Sequence, residues 1–141
     1  MKIIIDTNLF FSAYAFDKTI LKLIDSCFEK FQIFTSLEII AEIKEVLLRD
    51  TTRNKIKNYS EEEVLNFIEK IIDQSNIKMP NSKLTICRVP KDNKFLELAL
   101  EVNADYIISG DKDLLELREF EGTKILKPSE FTAELGLTIN N

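Results

Sequence analysis

Short runs of β-branched and aromatic residues alternate along this chain with stretches of helical periodicity. Lys2 to Asp6 holds three consecutive isoleucines, and Phe31 to Thr35, Asp105 to Ser109 and Lys124 to Leu126 are further runs of the kind. An apolar run without in-and-out alternation belongs to a strand covered on both faces. Between these runs, Leu9 to Phe16 and Thr19 to Phe28 read as helices. Thr35 with Glu38 makes a capping-box pattern that opens a helix to about Leu48. Ser60 with Glu63 opens another, with Tyr59 and Val64 as its hydrophobic staple and Val64, Ile68, Ile71 and Ile72 at helical spacing. Ile77 to Val89 is expected to be a short extended strand broken by Pro80-Asn81-Ser82. Asp92 then caps a helix through Glu101, a short helix follows at Lys112 to Arg118, and Pro128-Ser129 begins a terminal helix. This order predicts an α/β fold with a mostly parallel central sheet and helices on both faces. At 141 residues, with no linker or repeat, one domain over 1–141 is expected.

Composition narrows the chemistry. The chain contains no histidine, which removes Ser-His-Asp and Cys-His catalysis and the usual histidine-ligated zinc sites. Acid–base work must fall to carboxylates, lysine, tyrosine or water on a metal. Cys27 and Cys87 lie in apolar stretches and are expected to pack in the core, since a disulfide or metal framework needs more cysteines. No apolar run approaches the roughly 18 residues that span a bilayer, so no membrane association is expected. The Met-Lys start runs into the first strand without a signal-peptide cleavage pattern, and a cytoplasmic location is the expectation. The net charge of −5 argues mildly against nucleic-acid binding. Arg49, Arg53, Lys55 and Lys57, with Asp50 the acid among them, read either as a basic rim for substrate or as a solvated helix end and loop.

Acids where apolar segments end carry the functional signal. Asp6 directly follows Ile3-Ile4-Ile5, and Asp111 and Asp113 follow Ile107-Ile108-Ser109-Gly110. Packed anions raise one another's pKa and lose hydration, a cost that a divalent cation removes. In parallel sheets, ligands sit beyond the carboxyl ends of strands where strand order reverses. Neighbouring strands would therefore bring Asp6 and Asp111 to one crevice. Glu42 lies at the edge of the stripe formed by Ile39, Ile40, Ile43, Val46 and Leu47, whereas Glu38 and Glu45 point further away. Each acid also has an ordinary reading. Asp6 can be a turn residue, Glu42 a boundary glutamate, Asp92 a helix cap, and Asp111 with Asp113 the start of a helix. Lys127 reads as a solvated or rim lysine.

Together these motifs resemble the PIN domain, in its toxin-like branch related to VapC ribonucleases. The resemblance rests on Ile5-Asp6-Thr7-Asn8, Glu42, Asp92-Asn93-Lys94-Phe95-Leu96-Glu97-Leu98-Ala99, Ala104 through Leu114, and Ile125 through Phe131. It implies a Rossmann-like α/β/α sandwich and Mg²⁺- or Mn²⁺-dependent endoribonuclease activity. It also implies the toxin role of a toxin–antitoxin module, a cognate antitoxin as partner, and often a homodimer. Asp6, Glu42, Asp92 and Asp111 correspond to the family's acidic quartet. Asp6, Asp92, Asp111 and Asp113 are the expected metal ligands, with Thr7, Asn8 and Ser109 in support. Close relatives usually carry further acids where this chain has Val89 and Lys91, which adds Lys91 to the candidate substrate contacts.

Two other functions fit parts of the pattern. A phosphoacceptor receiver domain also uses an early acid and a Lys-Pro after its last strand, as Lys127-Pro128 does. It needs paired acids at the first strand and an acceptor Asp after the middle one, where this chain has Thr35 and Ser36. A degenerate PIN fold retained for partner binding is the other.

Overall fold

The computed structural model of the chain describes residues 1–81 and 92–138. Its centre is strand β1 (Lys2–Ile5), flanked by β2 (Gln32–Thr35) on one side and β4 (Tyr106–Ile108) on the other, both parallel to it. Ile3, Ile4 and Ile5 point alternately to the two faces, yet all are buried. Helices therefore cover both faces here, the condition a continuous isoleucine run requires. The register pairs Ile4 with Phe34 and with Ile107, and Ile5 with Ile108. Beyond β4 lies β6 (Thr123–Leu126), also parallel, and beyond β2 the short β3 (Asn76–Ile77). A last strand, β5 (Glu119–Phe120), runs antiparallel to β6 and completes the order β3-β2-β1-β4-β6-β5. Strand order thus reverses between β1 and β4.

Among the described residues the helices are α1 (Thr7–Ala15), α2 (Lys18–Lys30), α3 (Leu37–Leu48), α4 (Asp50–Lys55), α5 (Glu61–Gln74), α6 (Asn93–Val102), α7 (Lys112–Leu115) and α8 (Pro128–Leu135). α1 packs against α2 and α3, α3 against α5 and α6, α6 against β1 and β2, and α8 against β6. This is the Rossmann-like α/β/α arrangement expected from the motifs.

Several boundaries differ from the sequence reading. Thr35 is the last residue of β2, and Ser36 caps α3, its Oγ accepting from the Ile39 N–H at 3.2 Å. α1 begins at Thr7 because Asp6 is already its cap, and α7 stops at Leu115. The basic stretch after α3 contains the short helix α4. The antiparallel β5 was not anticipated. Ser60 caps α5 as expected, accepting from the Glu63 N–H at 3.3 Å. Cys27 lies in the core, where burial pushes its thiol up to about 12 and makes it an inert packing residue. Cys87, Val89, Lys91 and most of the strand expected over Ile77 to Val89 lie outside the described residues. No helix among the described residues is long and apolar enough to cross a membrane.

Candidate active site

Asp6 stands at the point where β1 ends. Its backbone N–H still bonds across to the Ile108 carbonyl at 3.0 Å, so the β1–β4 ladder fixes its position. The side chain is only 3% exposed. One carboxylate oxygen accepts from the Ser109 hydroxyl at 2.7 Å, and the other accepts from the Asn8 N–H at 3.3 Å. Burial is the largest influence on Asp6 and raises its pKa. The two hydrogen bonds oppose that rise, and the charges of Asp111 and Glu42 reinforce it.

Ser109 links the two strand ends. It is fully buried, donates its proton to Asp6, and accepts from the Asp111 N–H at 2.9 Å. Asp111 in turn caps α7, accepting from the Asp113 N–H at 2.8 Å. Carboxylate oxygens of Asp92, Asp111 and Asp113 lie within 4.8 Å of one another. Oxygens bound to Mg²⁺ at about 2.0–2.1 Å lie at most about 4.2 Å apart, so small side-chain movements would let these three share an ion. Hard carboxylate donors are also the set that suits Mg²⁺ or Mn²⁺. The residues fit such an ion.

Asp92 precedes α6 in helical conformation, with φ −85° and ψ −13°, and its carboxylate makes no capping bond to that helix. The expectation that Asp92 caps the helix by its side chain is therefore corrected. A cap needs extended backbone at that residue to turn the carboxylate back onto the first N–H groups. Glu42, on α3, lines the same crevice as Asp6, Asp92 and Asp111. Its carboxylate is 2.7 Å from the Lys94 ammonium of α6, and Lys94 is itself only 6% exposed.

The crevice has a volume of about 410 Å³. From the acids it extends along α3 to α4, where Arg49, Thr51, Thr52 and Lys55 line it, and Phe11 and Val46 supply apolar wall. Arg49 pairs with Glu45 at 2.5 Å. Arg53 faces elsewhere, bonding the Leu48 carbonyl and Glu61 and lying over the Tyr59 ring. Lys57 is exposed and does not line the crevice. Asn8 lines it too, but holds Asp6 through its backbone. Thr7 is buried, and its hydroxyl has no hydrogen-bond partner among the described residues. Lys127 borders a separate apolar hollow beside α2 and α8.

Phe11 was not singled out from sequence, and Lys94 only as part of the motif from Asp92 to Ala99, without a role of its own. The available signal for Lys94 was a cation in the first turn of a helix whose other residues, from Phe95 to Ala99, are mostly apolar. That helix is buried almost all round, so its lysine needs a partner inside the protein.

A PIN domain family model matches residues 2–113. Over 121 residues the chain is 38% identical to the uncharacterised protein MJ1680 of Methanocaldococcus jannaschii, covering 84% of this chain and 76% of that protein. Among solved structures, it is similar to a chain in the crystal structure of VapBC2 from Rickettsia felis bound to a DNA fragment from their promoter. That likeness covers 89% of this chain and 97% of the other, with a TM-score of 0.59 and 13% identity. At that identity it is a likeness of fold.

Proposed function

The chain belongs to the PIN domain family, and from that premise we propose that it is a Mg²⁺- or Mn²⁺-dependent endoribonuclease acting as the toxin of a toxin–antitoxin module. The observation that carries this reading is the group of Asp92, Asp111 and Asp113 carboxylates within 4.8 Å, beside the buried Asp6 where strand order reverses. In this reading Asp6, Asp92, Asp111 and Asp113 hold one or two such ions, and Asp6, Glu42, Asp92 and Asp111 form the catalytic quartet. The ion supplies activation of a water nucleophile and neutralisation of phosphate charge.

The chain's own residues do the rest. Ser109 and the Asn8 N–H hold the Asp6 carboxylate at a fixed angle, while the β1–β4 ladder sets its depth. Arg49 and Lys55, at the far end of the crevice, attract the phosphates that flank the cleaved bond. Single-stranded or looped RNA is the substrate, because an A-form duplex hides its bases from a small crevice. Hydrolysis by water leaves a 5′-phosphate and a 3′-hydroxyl. The motif resemblance to VapC-related ribonucleases also brings a cognate antitoxin and a homodimer into this reading. The receiver alternative is disfavoured by the absence of an acid after β2, where Thr35 and Ser36 stand.

Incubating the purified chain with unstructured RNA tests the proposal. Cleavage is expected with Mg²⁺ or Mn²⁺, none with EDTA, and a loss of at least about a hundredfold for Asp6→Asn or Asp111→Asn. Cutting by Asp6→Asn at the wild-type rate would reject the site, and no cutting by the wild type with either ion would leave the degenerate fold.

A further inference from the structure

The acids of the crevice fall into two groups. Asp92, Asp111 and Asp113 bring carboxylate oxygens within 4.8 Å of one another, and Glu42 is not part of that group. Glu42 has instead the ammonium of Lys94 at 2.7 Å, delivered from inside the protein by a side chain 6% exposed. We propose that Lys94 takes the part of a second cation, so that the crevice holds a single divalent ion, at Asp6, Asp92, Asp111 and Asp113. This rests on the metal-dependent reading above and refines its ion count.

A divalent ion bound to the Glu42 carboxylate would lie a few Å from the ammonium. Charges in such partly buried surroundings are screened far less than in water, so the two cations would repel strongly. The lysine cannot readily turn away. It belongs to the first turn of α6, buried on nearly every side, and its ammonium also lies 5.1 Å from the centre of the Phe95 ring. Glu42 is thereby a positioned negative charge facing the crevice and not an ion ligand. Removing Lys94 alone should free that carboxylate for a further ion. Removing both partners should leave the first ion nearly untouched, because neither touches it.

Calorimetric titration with Mn²⁺ alone, without RNA, tests this on the whole chain. Wild type should bind one Mn²⁺ per chain, Lys94→Met two, and the double variant Glu42→Gln/Lys94→Met one, with nearly the wild-type affinity. Two ions in wild type, or a folded Lys94→Met that still binds one, would overturn the proposal and leave the nuclease reading standing. Should Lys94→Met prove unfolded by circular dichroism, the double variant decides. Unchanged affinity upholds the proposal, and a loss of about tenfold or more, the least expected from disturbing a metal site, makes Glu42 part of the first ion's site and overturns it. No Mn²⁺ binding at all would overturn both this inference and the metal-dependent function.

Discussion

Ser109 joins two chain segments with a single hydroxyl, donating to Asp6 and accepting from the Asp111 N–H. Ser109→Ala removes both bonds without changing the backbone, so the fold should persist while Mn²⁺ affinity and cleavage fall by about 10–100-fold. Calorimetry and a cleavage assay check this, and unchanged values in both would make Ser109 a packing residue. Asp6 allows a test of stability against pH. Burial, with the neighbouring charges of Asp111 and Glu42, lifts its pKa above the ordinary 3.8. A carboxyl raised on folding contributes stability that is complete below its unfolded pKa and is lost as pH rises through the folded one. Without metal, the wild type should therefore gain stability on acidification from neutral pH towards that raised value. Asp6→Asn should start more stable at neutral pH and lack that gain. Urea unfolding in EDTA across the pH series measures the difference, and a gap constant with pH would contradict it. Asn8 differs again, because only its backbone N–H reaches Asp6. That bond does not depend on the asparagine side chain.

At the scale of elements, the parallel strands could be read from the sequence because burial on both faces leaves a continuous apolar run. The antiparallel β5 could not. It has two residues, and the turn joining it to β6 is Glu121-Gly122, both at positive φ, +49° and +86°. Two-residue hairpin loops of this hand favour Asn-Gly, and a glutamate there carries strain that masks the usual signal. Glu121→Asn should raise stability by about 0.5–1 kcal/mol with cleavage unaffected, since the turn lies away from the crevice. Urea denaturation measures it, and a fall in stability would mean that the glutamate side chain contributes something the asparagine cannot. α4 escaped notice for another reason. Six residues, Asp50–Lys55, are too few to show an apolar stripe, and only Thr52 among them is buried. Asp92 was legible as an acid at a helix start, but not its helical φ and ψ, which keep its carboxylate from capping the helix.

For the molecule as a whole, which acids meet depends on strand order, a property no local pattern encodes. Ile3-Ile4-Ile5-Asp6 and Ile107-Ile108-Ser109-Gly110-Asp111 each announce a strand end, and adjacency of β1 and β4 brings those ends together. The role of Lys94 stayed hidden because its partner Glu42 comes from a helix fifty-two positions earlier in the chain. Electrostatics on this scale also shapes the binding of RNA. With a net charge of −5, the chain as a whole repels a polyanion. Among the described residues, the cations that line the crevice are Arg49 and Lys55, and Arg49 is shared with Glu45. Binding that relies on so few phosphate contacts releases few counterions. The plot of log affinity for single-stranded RNA against log salt should then be shallow, with a slope near −1.4 for about two contacts at roughly −0.7 each. Lys55→Gln should flatten it by about 0.7 and weaken binding to all sequences alike. Fluorescence anisotropy with Asp111→Asn, which holds substrate uncut, provides the measurement. A steep slope unaltered by Lys55→Gln would locate the phosphate contacts on another face, and with them the path of the RNA.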